Sequence, residues 1–377
     1  MEEKASLIYS DSLATGGYPD DCPLDSARAG RTVEIIQSLG LLNYQHCSMI
    51  APEPASRESM ERFHVPEYLD ALYRCGKGNH DFRALQMGLG TPDNPIFKDM
   101  FEYLALASGG TTLGANLILK GDAHVVFNLA GGFHHATSDR ASGFCFINDV
   151  VLGCMTLADA GKRVLLLDLD AHHGDGTQTA FYNRDDIMTI SMHESGKTLF
   201  PGTGMVDEIG IGKGKGFSVN LPLPVGTYDD IYYQAFQEAV MPLMQSFNPD
   251  VIVLELGMDA LAGDPLAHLN LTNNCYADIV ADVIELKTPV LAVGGGGYNS
   301  QNTVRSWALM WNILANGRDD NIANLGLSGV LLENTAWSGG LRDKPLLSHG
   351  GHRVTVEQEV KKIITQIKNL HFKLHNL

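Results

Sequence analysis

The sequence of 377 residues contains no apolar run that approaches the roughly 18 residues needed to cross a membrane. Its first residues, MEEKASLIYSDS, lack the basic, apolar and small-residue regions of a secretory signal peptide. No Pro/Ser-rich linker, internal repeat or low-complexity tract interrupts the chain. These absences predict a single cytoplasmic domain over residues 1–377 with no membrane partner.

Cysteine is scarce and lacks metal-binding spacing. The six cysteines form no CxxC pair, which disfavours a zinc finger and, without a secretion signal, predicts free thiols. They are Cys22, Cys47, Cys75, Cys145, Cys154 and Cys275.

Positive charge is also scarce, since 27 Lys and Arg residues face 44 Asp and Glu residues, for a formal net charge of −17. Without clustered Lys and Arg, direct binding to nucleic acid is disfavoured. An acidic surface attracts basic segments such as lysine-rich peptides, but it also simply keeps a protein soluble. The charge alone therefore names no substrate.

What the chain does contain is an alternation of short apolar runs and helical stretches. Most of the apolar runs are continuous, as expected for parallel strands covered on both faces. The order of elements predicts an α/β fold: one domain with an open, mostly parallel sheet of about eight strands and helices on both faces. Strands are predicted at 124–129, 163–170, 187–193, 217–221, 251–257 and 289–295, and helices at 101–119, 147–160, 228–245, 276–286 and 303–314.

Residues 355–372 carry apolar side chains at helical spacing in a lysine-rich stretch, which predicts an amphipathic C-terminal helix. Packing against its own domain is the favoured use of this helix. A subunit contact is the alternative, which leaves oligomerisation open. The apolar positions are Val356, Val360, Ile363, Ile367 and Leu370.

Polar motifs follow several predicted strands, where open α/β sheets bind their ligands. Asp170 and His172 form a D-x-H pair after one strand, and Asp259 follows a distant one. A carboxylate at an apolar strand end must be paired, hydrogen-bonded or metal-bound. Three protein ligands with a position left for water are typical of catalytic zinc, which activates that water. The motifs predict such a site, although the same donors accept other divalent ions.

His134 and His135 are adjacent in GGFHHA, and tandem histidines suit proton transfer. A histidine base needs a partner that fixes its tautomer. We pair His134 with Asp168 and His135 with Asp175 as a hypothesis.

Tyr298 ends the run GGGGY, and we expect its hydroxyl to donate to a developing oxyanion. A phosphate-binding loop is disfavoured because the run lacks the Lys and Ser/Thr of a P-loop. Phe144 and Phe200 lie on glycine-containing loops, where they either pack or wall a slot for an aliphatic chain.

These residues resemble the histone deacetylase family, including its bacterial deacetylase-like amidohydrolase and acetoin-utilisation members. GGFHHA, ASGFCFINDV, LDLDAHHGDGTQ, FPGTG, GKGKG and GGGGY occur in the family's order within a core of about residues 8–316. GDPLAHLNLT and GGGGYNSQNTVRSW are most similar to the class I branch. The resemblance implies an arginase-deacetylase fold and a deacylase with one Zn²⁺ per chain.

The resemblance also implies roles for individual residues. Asp170, His172 and Asp259 would hold zinc, His134 and His135 would be the acid–base pair, and Tyr298 would be the oxyanion donor. Gly143, Phe144 and Phe200 would line an acyl-lysine tunnel, Asp93 would grip the substrate backbone, and Arg28 would line an acetate-release cavity.

One or two structural K⁺ ions are implied by the same resemblance. The first site would use Asp168, Ser191 and Met192 with the backbone of Asp170 and His172. A second, weaker site would use carbonyls near Phe181, Arg184, Ile187 and Phe217.

Two positions depart from the family pattern. Cys22 stands where many members have His, which bears on the entrance loop. Leu266 stands where polyamine-selective relatives have Glu, so an acylated-lysine protein or peptide is favoured over a small acetylated amine. Two more functions are less favoured: an arginase-like two-metal ureohydrolase, for which a D-x-D motif at Asp259 is missing, and a non-catalytic reader of acyl-lysine.

Overall fold

A computed structural model describes residues 4–79, 81–317, 340–346 and 351–377. Its centre is one eight-stranded sheet in the order β2-β1-β3-β8-β7-β4-β5-β6, with every neighbouring pair parallel. The predicted open α/β sheet is confirmed, and it is wholly parallel. The strands are β1 Ala5–Ile8, β2 Cys47–Ile50, β3 Val125–Asn128, β4 Val164–Asp168, β5 Ile187–Glu194, β6 Ser218–Leu223, β7 Val251–Glu255 and β8 Val290–Val293.

Strand β4 shows why the apolar runs are continuous. Leu165 and Leu167 belong to one buried cluster, and Val164 and Leu166 belong to another. Successive side chains of a strand point to opposite faces, so a strand covered on both faces is apolar throughout.

Helices cover both faces of the sheet. Helices α2 and α9 to α13 contribute to the first cluster, and α6 and α7 contribute to the second. None of the helices in the described ranges is both long and apolar enough to span a membrane. The helices are α1 Ser12–Thr15, α2 Arg28–Ser38, α3 Arg57–Glu61, α4 Pro66–Gly76, α5 Phe82–Gln86, α6 Met100–Lys120, α7 Asp149–Asp159, α8 Asp175–Phe181, α9 Asp229–Ala235, α10 Met241–Phe247, α11 Asn273–Glu285, α12 Ser300–Asn316 and α13 Gly351–His371, with short 3-10 turns at Gly212–Gly214 and Phe372–His375.

Two strands were missing from the sequence-based assignment. Strands β1 and β2 precede the first predicted strand, and each has only four residues. Each also carries a serine inside its run, and the Oγ atoms of Ser6 and Ser48 lie 3.0 Å apart across the pair. The edge strand β2 is partly exposed, so its sequence has no continuous apolar pattern.

The helix predicted at 228–245 is not a single α-helix. A π-helical turn, Phe236–Val240, separates α9 from α10. Pro242 lies in the first turn of α10 and has no N–H to continue the regular hydrogen-bond ladder.

Helix α13 packs against the rest of the chain. Four of its apolar side chains are buried, and Ile363 is only partly buried. Nζ of Lys368 lies 2.8 Å from Oε2 of Glu238 on the π-helical turn. The buried set is Val356, Val360, Ile364 and Ile367.

Candidate active site

Loops from four adjacent strands meet at one edge of the sheet. Strands β3, β8, β7 and β4 are consecutive neighbours and all parallel, so their carboxyl ends share an edge. The loops that follow them carry His134, Tyr298, Asp259 and Asp170 respectively. This is the edge where open α/β sheets bind ligands.

Three predicted metal ligands converge after β4 and β7. Nδ1 of His172 lies 2.9 Å from Oδ2 of Asp259 and 3.2 Å from Oδ1 of Asp170. All three side chains are buried. Tetrahedral zinc with ligand bonds of about 2.0–2.2 Å would hold its ligand atoms about 3.3–3.6 Å apart. The two observed spacings are slightly shorter than this range, and one ligand atom from each of the three residues lies within 4.8 Å of the others, so the donor set suits one divalent cation.

The backbone around this group orients the two carboxylates. The Ala171 N–H donates to Oδ1 of Asp259 at 2.8 Å, and the Gly296 N–H donates to Oδ2 of Asp170 at 2.7 Å. A Cβ added to Gly257 would collide with the Asp170 carboxylate, and one added to Gly296 would collide with that of Asp259. Glycine at these positions allows close approach of the backbone.

The electrostatics of the group favour a cation. Burial, and then the neighbouring Asp170 carboxylate, raise the pKa of Asp259 to about 7. Burial lowers the pKa of His172, but the Asp259 and Asp170 carboxylates outweigh it and raise that pKa to about 10. Two buried carboxylates thus need a positive partner, which a divalent ion supplies.

The two histidines each have a carboxylate partner. Nδ1 of His134 lies 2.9 Å from Oδ2 of Asp168, and Nδ1 of His135 lies 2.8 Å from Oδ1 of Asp175. Their Nε2 atoms lie 3.1 Å apart. The structure therefore contains both carboxylate contacts of the pairing hypothesis.

The pKa values of the two histidines shift in opposite directions. Burial, and then the positive charge of His134, lower the pKa of His135 to about 4. Burial also lowers the pKa of His134, but Glu255 and Asp168 outweigh it and raise that pKa well above its usual value. The two histidines thus favour different protonation states, with His134 charged and His135 neutral.

Glu255 is a residue that the sequence analysis missed. It is fully buried, and its Oε1 lies 3.1 Å from Nδ1 of His134 without a hydrogen bond. Burial raises the pKa of Glu255 well above its usual range, with a further rise from Asp168. Its position inside the apolar run VIVLELG was the available signal, and the structure pairs it in register with Asp168.

Tyr298 lies at the same centre. Its ring centroid is 6.2 Å from that of His172 and 5.7 Å from that of Phe144. Burial, and then the Asp259 and Asp170 carboxylates, raise the pKa of its hydroxyl well above the usual value. The phenol is therefore a neutral hydrogen-bond donor.

A cleft of about 570 Å³, open solvent included, is lined by Asp170, by both histidines of the pair and by Tyr298. The guanidinium of Arg28 donates to the carbonyls of Gly297 at 2.7 Å and Gly295 at 3.1 Å, and it lies 4.9 Å from the Trp307 ring centroid. The lining includes Arg28, His134, His135, Gly143, Phe144 and Tyr298.

Three predicted substrate-binding residues do not line the cleft, and two of them contact residues that do. The carbonyl of the exposed Asp93 accepts the Phe144 N–H at 3.1 Å. The ring centroid of Phe200 is 5.0 Å from that of His135, and Phe200 is 44% exposed. Leu266 is half-buried, and its N–H donates to Asp264 at 2.9 Å.

Some of the residues expected at each K⁺ site are neighbours in the structure. Asp168 and Ser191 pair in register on β4 and β5, with Met192 next to Ser191. In the second set, Phe181 ends α8 and its carbonyl accepts the N–H of Arg184, while Ile187 starts β5 and Phe217 precedes β6. The K⁺ sites themselves stay a prediction.

Comparison with known proteins gives a consistent assignment. The family model "Histone deacetylase domain" matches residues 22–314. "Histone deacetylase 8" of Xenopus tropicalis is 39% identical over 316 residues, covering 82% of this chain and 84% of that protein. "Acetoin utilization protein AcuC" of Bacillus subtilis is 38% identical over 313 residues, covering 81% of this chain and 80% of that protein.

Solved structures agree with the sequence relatives. A histone deacetylase homologue from Aquifex aeolicus has a TM-score of 0.87 and 32% identity, covering 97% of this chain and all of that one. A homologue complexed with SAHA has a TM-score of 0.86 and 31% identity, with the same coverage. The predicted arginase-deacetylase fold is confirmed, and the chain belongs to the histone deacetylase family of deacetylase hydrolases.

Proposed function

We propose that this chain is a zinc-dependent amidohydrolase that removes acetyl or other acyl groups from Nε-acyl-lysine. The observation that carries the proposal is the convergence of Asp170, His172 and Asp259 beside the His134–His135 pair. Those three residues would hold one Zn²⁺, which when bound acidifies a water molecule and polarises an amide carbonyl.

The histidines would move the proton. His135 is the residue with the lowered pKa, so its Nε2 carries no proton and would exchange the His134 contact for a proton from the attacking water. Asp175 would stabilise the resulting imidazolium through Nδ1. His135 would then return the proton to the leaving lysine amine, while the charged His134 stabilises negative charge beside it.

Tyr298 would donate a hydrogen bond to the oxyanion that develops on the substrate carbonyl. Losing one such donor typically lowers kcat about 10²–10³-fold. Structural K⁺ at one or both predicted sites would support the loops that carry Asp168 and the metal ligands.

Aromatic side chains in and beside the cleft favour a lysine side chain as the substrate's reacting arm. Phe144 and Phe200 supply aromatic surface for its methylenes, and a Cβ on Gly143 would collide with His135. The Leu266 side chain supplies no carboxylate for the second ammonium of a polyamine, where polyamine-selective relatives have Glu. The cytoplasm stays the predicted compartment.

The test uses the full chain after chelation and after reconstitution with Zn²⁺. Peptides carrying acetyl-, butyryl- or longer acyl-lysine are compared with acetylspermidine. We expect peptide hydrolysis that chelation abolishes and zinc restores, with one zinc per chain. Asp259→Asn should abolish activity, whereas Asp229→Asn, at a half-buried carboxylate that binds Thr272 instead, should retain it.

Three results would contradict the proposal. Hydrolysis of acetylspermidine alone would favour a small acetylated amine as the substrate. Two metal ions per chain would favour a ureohydrolase. Zinc binding without turnover of any substrate would favour a reader of acyl-lysine.

A further inference from the structure

Asp264 connects two loops of the site through a single carboxylate. Its Oδ2 accepts the N–H of Tyr298 at 2.7 Å and that of Asn299 at 3.3 Å. Its Oδ1 accepts the N–H of Leu266 at 2.9 Å. The side chain is largely buried, with 9% of the residue exposed. The backbone of Tyr298 is thereby joined to the Leu266 segment.

The backbone before Tyr298 has little conformational preference of its own. Gly295 and Gly297 have φ angles of +129° and +130°, a region that other residues rarely adopt. Arg28 holds the carbonyls of both glycines. The contacts from Asp264 begin at the next residue, Tyr298, where the reactive side chain leaves the loop.

We propose that Asp264 is a positioning residue for Tyr298: it fixes the backbone from which the phenol reaches the metal centre and ties it to the Leu266 segment. The catalytic consequence rests on the proposed function, in which Tyr298 donates to the oxyanion. Three N–H donors on one carboxylate make charge-assisted hydrogen bonds, which hold their partners more firmly than neutral ones.

The expected effect follows from the geometry of oxyanion stabilisation. A donor works when it lies about 2.7–3.1 Å from the oxyanion, and a displacement of about 1 Å can cost about 10²-fold in rate. The oxyanion exists only in the transition state and the intermediate. Loss of Asp264 should therefore lower kcat and leave KM nearly unchanged.

A double-mutant cycle tests whether Asp264 acts through Tyr298. We expect Asp264→Ala to lower kcat about 10–100-fold in the wild-type background. In a Tyr298→Phe background the same change should cost less than about 3-fold, because the hydroxyl it positions is already gone. Asp264→Asn should lose less, since its amide oxygen still accepts one N–H. Asp229→Ala removes a carboxylate that likewise accepts a backbone N–H, that of Thr272, the N-cap of α11, and it should leave kcat unchanged.

Hydrogen exchange supplies a readout that needs no turnover. Exchange at the amides of Tyr298 and Asn299 should accelerate in Asp264→Ala, both with and without zinc, and should stay unchanged in Asp229→Ala. If Asp264→Ala does not fold, Asp264→Asn replaces it in both experiments.

Two results would overturn the positioning role: an equal loss of kcat in both backgrounds, or unchanged exchange at Tyr298 and Asn299. Failure of the proposed function is a different result, because a wild-type chain that hydrolyses none of the substrates contradicts the reaction. The exchange experiment still decides whether Asp264 holds the Tyr298 backbone.

Discussion

His134 and His135 face each other through their Nε2 atoms at 3.1 Å. Each Nδ1 is directed at its own carboxylate, that of Asp168 or Asp175. The Nε2–Nε2 contact is a hydrogen bond only when one ring donates and the other accepts. The shifted pKa values assign the donor to His134 and the acceptor to His135. Two neighbouring residues of the same type thus carry different protonation states.

Asp175→Asn tests this asymmetry. We expect kcat to fall at least about 10-fold, because the amide does not stabilise an imidazolium at His135 as the carboxylate does. Asp175 also raises the pKa of His135, so its loss should move the acidic limb of the kcat/KM profile to lower pH. The measurement is a pH–rate profile, with the exposed Asp122→Asn as control. An unchanged profile would remove Asp175 from the proton relay.

Gly257→Ala tests the backbone that surrounds the metal ligands. The added Cβ would displace the Asp170 carboxylate, so zinc affinity should fall at least about 10-fold. Competition with a chromogenic chelator measures it. Gly16→Ala is the control, because its added Cβ would make a much milder contact. Its nearest neighbour would be the Ser12 carbonyl oxygen at 3.2 Å. Equal zinc affinity in both variants would contradict the steric argument.

His64→Gln tests a buried histidine away from the metal. Nε2 of His64 accepts the N–H of Asn148, the N-cap of α7, at 3.0 Å. Burial lowers the pKa of His64 from 6.5 to about 4. Its neutral form therefore contributes stability that is complete above pH 6.5 and is lost as the pH falls towards 4, with a slope of at most about 1.4 kcal/mol per pH unit.

In the glutamine variant, an amide oxygen can accept the same N–H without titrating. The unfolding free energy should then fall less steeply between pH 6.5 and 4 than in the wild type. Denaturant unfolding at several pH values measures both slopes. Identical slopes would show that His64 does not titrate between the two states.

Glu255→Gln tests the buried carboxyl that lies beside His134 without a hydrogen bond. A raised pKa in the folded state means that the folded protein binds the proton more tightly, so stability is lost as the pH rises above the unfolded value. The amide of the glutamine variant does not titrate, so the variant does not lose this stability. We expect the difference in unfolding free energy, variant minus wild type, to be more positive at pH 8 than at pH 5, at equal zinc loading. A relative loss at pH 8 would indicate a charged, stabilising Glu255.

The sequence patterns predicted the features that depend on residues close together in the chain. Continuous apolar runs identified six strands, and polar motifs at their ends placed Asp170, His172 and Asp259 at one edge of the sheet. Strand β2 was missed because an exposed edge strand needs no apolar run. Glu255 was missed because its meaning depends on register with Asp168. Asp264 was missed as a Tyr298 partner because tertiary folding decides which N–H groups a carboxylate reaches.

The spacing of the ligands along the chain has a thermodynamic consequence. His172 and Asp259 are separated by 87 residues in sequence, yet their side chains touch. An ion shared by them would act as a non-covalent cross-link that closes a long loop of chain between β4 and β7. Because such an ion binds the folded chain in preference to the unfolded one, the melting temperature should climb with free zinc concentration.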